Sequence, residues 1–415
     1  SIALTASEYA LHYAFDAGAQ DPFVILEYTT PAEKGWMMLY SADGHFEGDV
    51  SLAYSGAGGK TSVALTSART TGSIGKASTT LPKAADYQKP TGKSNAKVTD
   101  FVLTETPEGF HYAFNAAGTD YMLLYWRSKE QTVTQPVYPD ENGHYEGDVV
   151  SELTFARTQF TVQVKSGSGS MKKEATVRKG YQAPEAPQRQ EGRLSGVTVC
   201  IDAGHQENGR FVNEPIGPGL TGSTSGKGGM AQGTKTNRRE SIVCLEIGML
   251  LRDELLRQGA NVVMTREDQT TFHTNIERCE IAEAGGAQIM LRLHCNNSSN
   301  RSKRGIQVYG PLNSDYAKAV ADADTYREMG QKLLDAMKTR VGMTLANSTG
   351  MVRLNDNYVG NNWAKMMCFL VEMGYLSNPA EEYLLVTPVY QQWLAESMAD
   401  GVYEIAVARG WVQAQ

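Results

Sequence analysis

The stretch VTVCIDAGHQ, residues 197–206, marks the point at which the character of the sequence changes. Residues 197–201 favour β-structure and predict a buried strand, and an acid, a small residue, a glycine and a histidine follow at its end. A plain turn would need only the aspartate and the glycine. The additional histidine, His205, raises the hypothesis that the end of this strand holds a ligand.

Segments typical of strands and helices alternate after this point. The first helix carries one apolar face, and Gly259 suits the position just past its end. This alternation predicts an α/β domain over residues 196–415, with a mostly parallel twisted sheet flanked by helices. The predicted strands lie at 261–265, 288–296, 305–310 and within 365–374, and the predicted helices at 239–259, 275–286, within 315–341 and at 388–410.

The first half of the chain contains an internal repeat. HYAFDAG at 12–18 returns as HYAFNAA at 111–117, and GHFEGDVSL at 44–52 returns as GHYEGDVVS at 143–151. Short alternating segments punctuated by Gly, Asp, Asn and Ser connect these motifs, as is typical of small all-β domains with an immunoglobulin-like sandwich fold. The predicted units are a first β-sandwich repeat at 1–90, a second at 91–184 and a polar, proline-containing linker at 185–195.

Composition limits the function classes. The 415 residues are too many for one ordinary core, so two or three domains are expected. A net charge of −7 disfavours nucleic acid as a partner, because phosphate binding requires clustered Lys and Arg. No apolar run is long enough to span a bilayer. The chain begins at Ser1 and contains no signal peptide, which says little about the compartment.

The five cysteines all lie in the second half of the chain. None belongs to a CxxC pair, and each sits inside an apolar pattern. We therefore predict small buried side chains rather than a disulfide framework. The cysteines are Cys200, Cys244, Cys279, Cys295 and Cys368.

Four polar side chains are predicted to meet at one edge of the α/β sheet. His205, His294 and Glu372 each stand at the end of a predicted strand. The carboxyl ends of parallel strands share one edge, which is where such sheets bind ligands. Glu240 heads the first long helix, which begins at the same edge because the chain leaves the first strand there.

These groups together predict amide hydrolysis. Two imidazoles and one carboxylate form a ligand set for one catalytic Zn²⁺ and leave a coordination position open for water. Zinc lowers the pKa of that water towards about 7 and polarises a carbonyl oxygen. A second carboxylate can pass a proton from the water to the leaving amine. Taken singly, each residue has a structural alternative, such as a helix-dipole acid at Glu240, an ion pair at Glu372 or a turn cap at Asp202.

Four segments resemble, in order, the zinc-dependent N-acetylmuramoyl-L-alanine amidases of the amidase 3 type, over about residues 196–412. The resemblance implies that His205, Glu240 and His294 bind zinc and that Glu372 is the catalytic acid/base. It also implies the substrate, the bond between the lactyl group of N-acetylmuramic acid and L-alanine in peptidoglycan. The segments are CIDAGHQ at 200–206, RRESIVCLEIGMLLRDELLRQGANVVMTRE at 238–267, ERCEIAEAGGAQIMLRLHCN at 277–296 and FLVEMGYLSNPAEEYLL at 369–385.

The resemblance further implies a bacterial protein that acts outside the cell or in the cell wall. The N-terminal repeats are expected to form a spacer or a cell-surface interaction module, with binding of wall glycan as the alternative. Two other functions stay open. One is a zinc amidohydrolase or peptidase of the same fold that acts on another amide, and the other is a cell-wall-binding protein whose amidase half is inactive.

Several residues depart from the family pattern or stand beside it. Cys295 replaces a usual small residue and is expected to point away from His294, because strand neighbours face opposite sides. Segment 206–239 resembles a Gly-rich insertion and is predicted to be a flexible loop over the cleft. Arg292 is a candidate contact for a peptide carboxylate or for the oxyanion that develops during the reaction, with a salt bridge as the alternative. His273 is predicted to be peripheral.

Overall fold

The chain forms two compact units, Ser1–Tyr181 and Gln182–Gln415. The first consists of strands and the second of strands and helices, so the predicted all-β region followed by an α/β domain is confirmed. The predicted ends of the two repeats, residues 90 and 184, lie outside the described residues. The computed structural model describes residues 2–18, 21–69, 72–87, 89, 97–106, 109–119, 121–128, 131–150, 158–179, 185–206, 212–224, 229–236, 238–341 and 351–414.

Within the described residues, each repeat of the first unit contributes seven strands. In the first repeat these are β1 Ala3–Ser7, β2 Ala10–Asp16, β3 Phe23–Thr29, β4 Glu33–Tyr40, β5 His45–Ser51, β6 Gly59–Ser67 and β7 Ser73–Leu81. In the second they are β8 Val98–Thr106, β9 Gly109–Ala116, β10 Met122–Arg127, β11 Gln131–Val137, β12 His144–Val150, β13 Thr158–Lys165 and β14 Met171–Lys179.

The two repeats share one sheet. Each has its own three-stranded sheet, in the orders β1-β2-β5 and β12-β9-β8, while the remaining strands form an eight-stranded antiparallel sheet in the order β14-β13-β10-β11-β4-β3-β6-β7. The repeats meet where β11 pairs with β4, with Thr132 opposite Lys34. Each repeat nevertheless buries a separate core, one around Leu11 and Leu26 and the other around Phe114 and Trp126. The immunoglobulin-like topology stays a prediction.

The part of the second unit that the structure describes contains six strands and seven helices. The strands are β15 Thr198–Ala203, β16 Asn261–Met264, β17 Ile289–Asn296, β18 Gln307–Gly310, β19 Met351–Leu354 and β20 Met367–Tyr375. The helices are α1 Glu240–Arg257, α2 Asn275–Ala284, α3 Asp315–Val320, α4 Ala323–Val341, α5 Val359–Trp363, α6 Glu381–Leu384 and α7 Pro388–Ala408. Within the described residues, none of the helices has the length and apolar character needed to cross a membrane.

The six strands form a sheet in the order β16-β15-β17-β20-β18-β19. The pairs β15–β16, β15–β17, β17–β20 and β18–β19 are parallel, and β18–β20 is antiparallel. Successive residues of the central strands face opposite layers. Leu293 of β17 lies near Gly248 of α1, while Met290, three residues earlier, packs in a cluster with Cys279 and Ala282 of α2. Because β15, β17 and β20 are parallel, their carboxyl ends lie at one edge.

The ends of the long helices follow local sequence signals. Helix α1 is followed by Gly259 with φ +97°, as the sequence predicted. Helix α2 begins with a capping box between Thr274 and Glu277, which satisfies backbone N–H groups at its first turn. In the predicted linker, residues 185–191 are exposed and irregular, whereas Leu194 is fully buried and its N–H donates to the Gln258 carbonyl.

Candidate metal centre

His205 is positioned by the sharp end of β15. Its backbone adopts the left-handed conformation, with φ +57°, which costs a non-glycine residue on the order of 1 kcal/mol. A Cβ on the preceding Gly204 would lie 2.5 Å from the Leu293 carbonyl oxygen and 2.6 Å from Cε1 of His294. Glycine therefore lets the ends of β15 and β17 approach. The two imidazole rings lie with their centroids 4.9 Å apart.

Glu240, the first residue of α1, approaches the two histidines from the helix side. It is 3% exposed, and its Oε1 lies 3.1 Å from Nε2 of His205 and 2.9 Å from Nδ1 of His294. The N–H of Cys295 donates to Oε1, and that of Ala231 donates to Oε2. Burial alone would raise the pKa of Glu240, but the two histidines outweigh burial and hold that pKa well below its ordinary value. Glu240 is therefore an ionised carboxylate in a fixed orientation.

The three side chains offer a compact set of donor atoms. One ligand atom from each of His205, Glu240 and His294 lies within 4.8 Å of the other two. In the part of the chain that the structure describes, no other group of three or more His, Cys, Asp or Glu residues meets this condition. Imidazole nitrogens and a carboxylate oxygen are ligands that Zn²⁺ takes in catalytic sites. The set therefore fits a single divalent ion.

Glu372 lies on β20 next to this cluster. It stands opposite His294 of β17 on one side and opposite Gln307 of β18 on the other. Its Oε2 is buried and has no hydrogen-bond partner among the described residues. Burial, followed by the negative charge of Glu240, raises the pKa of Glu372 well above its ordinary value. The group is thus suited to holding and releasing a proton, which is the property required of a general acid/base.

A buried ion pair supports the backbone of His205. Asp202 is fully buried, contacts Nη1 of Arg278 and accepts a 2.8 Å hydrogen bond from the Thr265 hydroxyl. Nη2 of Arg278 then donates to the carbonyl of His205 at 3.2 Å and to the side chain of Gln206 at 2.5 Å. Asp202 therefore does more than cap its turn. Sequence reasoning missed Arg278, which lies within helix α2 and carries no motif of its own.

Arg292 is engaged in the same network. It is 4% exposed, its Nε donates to Oδ2 of Asp202 at 2.9 Å and its Nη2 donates to Oδ1 of Asn275 at 2.7 Å. The salt bridge, which the sequence left as the alternative to a substrate contact, is what the structure contains. A guanidinium bound on two sides and enclosed by protein is placed to hold β15 to β17. A role of Arg292 in the reaction stays a prediction.

A second polar group lies beside Glu372 and was also missed from the sequence. Oε1 of Gln307 accepts hydrogen bonds from Nδ2 of Asn296 at 2.9 Å and from the hydroxyl of Tyr309 at 2.7 Å. These contacts hold the Gln307 amide on the strand that flanks Glu372. Only the position of Asn296 at a strand end could have pointed to this group.

Segment 206–239, the predicted flexible loop, lies partly outside the described residues, at 207–211, 225–228 and 237. Its described parts are hydrogen-bonded to the rest of the unit. The carboxylate of Glu214 accepts from the N–H of Ile276 at 2.8 Å, at the start of α2. The hydroxyl of Thr234 donates to Glu382 at 2.8 Å. Gating of the cleft by this segment stays a prediction.

The remaining histidines lie apart from the cluster. In the outer sheets of the first unit, Nδ1 of His12 lies 3.1 Å from Asp49, and Nδ1 of His111 lies 2.9 Å from Asp148. These pairs repeat between the two halves of the unit, as expected of structural residues. The carbonyl of His273 accepts a bond from Arg278 at 3.2 Å, so its backbone contributes to the support of the site.

The cysteines are free and buried, as predicted. Cys295 stands two residues after Leu293, whose side chain lies near Gly248 of α1, so the Cys295 thiol points to the helix layer that contains Cys244. Burial raises the pKa of the Cys295 thiol well above its ordinary value. A neutral thiol in this position is a packing group, because the thiolate is the form that binds metals.

Known proteins resemble the second half of the chain. Residues 199–404 match the family model described as N-acetylmuramoyl-L-alanine amidase. The chain is 26% identical over 231 residues to the germination-specific N-acetylmuramoyl-L-alanine amidase of Bacillus subtilis (strain 168), an alignment that covers 52% of this chain and 83% of the relative. It is 27% identical over 218 residues to the probable cell wall amidase LytH of Staphylococcus aureus, covering 52% of this chain and 60% of that relative.

A solved structure is similar over the same half of the chain. The N-acetylmuramoyl-L-alanine amidase from Clostridium difficile 630 is 23% identical, with a TM-score of 0.40, and the match covers 51% of this chain and 96% of that one. The family match spans strand β15 to helix α7 and contains all four residues described above, His205, Glu240, His294 and Glu372. Residues 199–404 of this chain are therefore a domain of the N-acetylmuramoyl-L-alanine amidase family.

Proposed function

We propose that the chain hydrolyses the amide bond between the lactyl group of N-acetylmuramic acid and L-alanine in peptidoglycan, with one Zn²⁺ bound by His205, Glu240 and His294. One observation carries the proposal. Two imidazole nitrogens and one carboxylate oxygen, drawn from three distant segments, converge within 4.8 Å at the edge where such sheets bind ligands. Family membership supports the choice of substrate.

The donor set and its surroundings suit zinc. Three protein ligands leave the fourth tetrahedral position open, as in catalytic zinc sites. When bound, the ion acidifies water and polarises a carbonyl oxygen. The carboxylate of Glu240 is nearly inaccessible to solvent, and two backbone N–H groups fix its orientation. The two imidazoles lie within hydrogen-bond distance of this carboxylate, and a cation at this place would balance its buried negative charge.

Glu372 is the proton carrier in this proposal. Its Oε2 is buried without a partner, and burial raises its pKa. The carboxylate form takes a proton from the attacking water, and the resulting carboxyl group donates it to the nitrogen of L-alanine as the carbon–nitrogen bond breaks. Arg278 is a positioning residue in this proposal. Its guanidinium donates a hydrogen bond to the carbonyl of His205 and so fixes the backbone that carries the His205 imidazole.

The setting proposed for this reaction is the bacterial cell wall or the space outside the cell. The sequence leaves two alternatives, cleavage of a different amide by the same groups and wall binding without cleavage. The position of Glu372 beside the metal-binding set favours cleavage over binding alone. A buried carboxyl oxygen without a hydrogen-bond partner is costly, and binding of the wall does not require one beside a metal.

The test uses the full chain and purified peptidoglycan. We expect new amino termini on L-alanine, loss of their release after treatment with a chelator, and recovery when Zn²⁺ is added back. New amino termini on another residue would indicate a different amide. A chain that binds Zn²⁺ and releases no new termini would contradict the enzymatic proposal.

A further inference from the structure

We propose that a groove on the outer face of the eight-stranded sheet binds peptidoglycan strands through the carboxylates of their stem peptides. This inference rests on the proposed function, since it assigns the substrate a second contact on the chain. The groove has a volume of about 920 Å³ and runs across strands β7, β6, β3, β4 and the start of β11. It lies on the face opposite the core of the first repeat.

Three lysines line this groove. Lys34 of β4 stands opposite Thr29 of β3. On the other side of β3, Thr29 stands opposite Ser62 of β6, and Lys60 lies two residues before Ser62. Lys76 of β7 stands opposite Ala64 of β6. All three side chains are exposed, and within the described residues none of their ammonium groups makes an ion pair or hydrogen bond. Among the described residues that line the groove, Glu27 is the one acid. The groove is therefore locally positive in a chain whose net charge is −7.

An indole ring and hydroxyl groups complete the lining. Trp36 stands opposite Glu27 in the pairing of β3 with β4, so both side chains lie on the groove face. Ser62, Ser78 and Thr132 contribute hydroxyls along the neighbouring strands. Aromatic faces pack against the apolar faces of sugar rings, and hydroxyls exchange hydrogen bonds with sugar hydroxyls. The combination fits a sugar chain that carries negative groups.

The second repeat shows that the fold does not require these lysines. Pairing registers match its strands to those of the first repeat position by position, and uncharged or acidic residues stand where the lysines would be. There Nε2 of Gln163 donates to Glu174, and Nζ of Lys165 lies 3.8 Å from the centre of the Tyr125 ring. Its polar groups thus pair with one another. The equivalent residues are Thr132 for Lys34, Gln159 for Lys60, Glu174 for Lys76 and Thr134 for Trp36.

Charge complementarity selects the occupant. Peptidoglycan presents sugar rings together with peptide carboxylates, which matches a tryptophan beside three cations. Three solvent-exposed contacts of this kind change binding by about tenfold in total, which corresponds to about 1.4 kcal/mol. The attraction weakens as salt rises, because the Debye length is about 8 Å at physiological ionic strength.

Sedimentation of the full chain with insoluble peptidoglycan tests this inference. The groove variant is Lys34→Thr/Lys60→Gln/Lys76→Glu, whose new residues are those that the second repeat already carries at the same strand positions. The control, Lys97→Thr/Lys172→Gln/Lys173→Glu, makes the same change in charge outside the groove. Both are built on Glu372→Gln so that cleavage does not remove the bound strands. The single variant Lys76→Gln keeps the test usable if the triple variant does not fold.

On peptidoglycan stripped of phosphate-bearing polymers, we expect the groove variant to bind about tenfold more weakly than the parent, with a shallower salt dependence, and the control to bind like the parent. On peptidoglycan whose stem-peptide carboxyl groups have been converted to neutral amides, parent and groove variant should bind alike. Equal weakening in groove variant and control would overturn the inference. So would a difference that persists after this conversion, or one that appears only when phosphate-bearing polymers are retained.

The two proposals fail separately. Release of L-alanine amino termini by the wild-type chain depends on the metal centre, and its absence would overturn the proposed function while leaving the sedimentation comparison intact. A groove variant that sediments like its parent would overturn only the second contact.

Discussion

Oε1 of Glu240 lies 2.9 Å from Nδ1 of His294, although the two residues belong to a helix and a strand separated by another strand and helix in the sequence. The first turn of α1 and the carboxyl end of β17 are brought together because α1 starts at the sheet edge where β17 ends. The same oxygen lies 3.1 Å from Nε2 of His205. The end of β15, the start of α1 and the end of β17 thus together determine one set of donor atoms.

Glu240→Gln tests whether this oxygen is a metal ligand. The amide keeps the shape of the side chain and removes its charge. Because loss of groups that merely support a ligand already weakens metal binding about 10–100-fold, we expect Zn²⁺ affinity to fall at least tenfold. Competition with a chromophoric chelator measures it. Glu283→Gln, which removes a surface acid paired with Lys365, is the control. Equal affinity in Glu240→Gln and wild type would rule out Glu240 as a ligand.

Gly204→Ala tests the close approach of β15 and β17. The added Cβ would meet the Leu293 carbonyl oxygen at 2.5 Å and must displace the imidazole of His294. We expect a loss of about 1–3 kcal/mol in the free energy of unfolding, together with weaker Zn²⁺ binding. Gly229→Ala is the matched control, since no atom of the described residues outside its chain neighbours lies within 4 Å of a Cβ there. Zinc affinity unchanged in Gly204→Ala would show that the approach does not position the histidine.

Asp202 makes the stability of the second unit depend on pH. Burial would raise its pKa, but the charges of Arg278 and Arg292 outweigh burial and hold the pKa well below its ordinary value of about 3.9. Above about pH 5 the ion pair contributes fully. As the pH falls through the ordinary value, the unfolded chain binds the proton first, so the free energy of unfolding decreases.

At neutral pH, Asp202→Asn should have a lower free energy of unfolding than the wild type. Between about pH 5 and pH 3, that free energy should fall less in the variant than in the wild type. Urea unfolding followed by the helical circular dichroism signal measures this, because all helices of the described residues lie in the second unit. Parallel stability curves for the two chains over this pH range would show that Asp202 does not carry the dependence.

Arg292→Ala separates the two roles considered for that arginine. Removal of one partner from a buried ion pair costs about 3–5 kcal/mol, and Asp202 would be left with one arginine fewer. We expect a large fall in unfolding free energy and only a small change in turnover per folded molecule. Unchanged stability with strongly reduced turnover would instead support a direct contact with substrate.

Sequence rules alone accounted for much of the second unit. Parallel strands expose their carboxyl ends at one edge, so the meeting of His205 with His294 follows from the strand assignment. The sequence rules did not identify Arg278 as a residue of the site, because its contact with the His205 carbonyl depends on how α2 packs beside β15. Nor did they lead to β19, a four-residue strand too short to show alternation.

The first unit shows a different limit. The internal repeat predicted two similar β-units, and the alternation of apolar and polar residues in the sequence indicated their strands. The pairing of Thr132 with Lys34 joins the repeats into one sheet. Edge pairing uses backbone groups that every residue possesses, so it leaves little trace in the pattern of side chains. The groove formed beside this junction was therefore not predictable from the sequence.

The central claim is that Glu372 moves a proton at a site where three other side chains hold zinc. Metal content and turnover of Glu372→Gln, measured on the same purified sample, test it most directly. We predict one zinc ion per chain, as in the wild type, and turnover on peptidoglycan reduced at least about 100-fold, which is the size of a general acid/base contribution. Turnover close to that of the wild type, or loss of the zinc together with the carboxylate, would contradict this account.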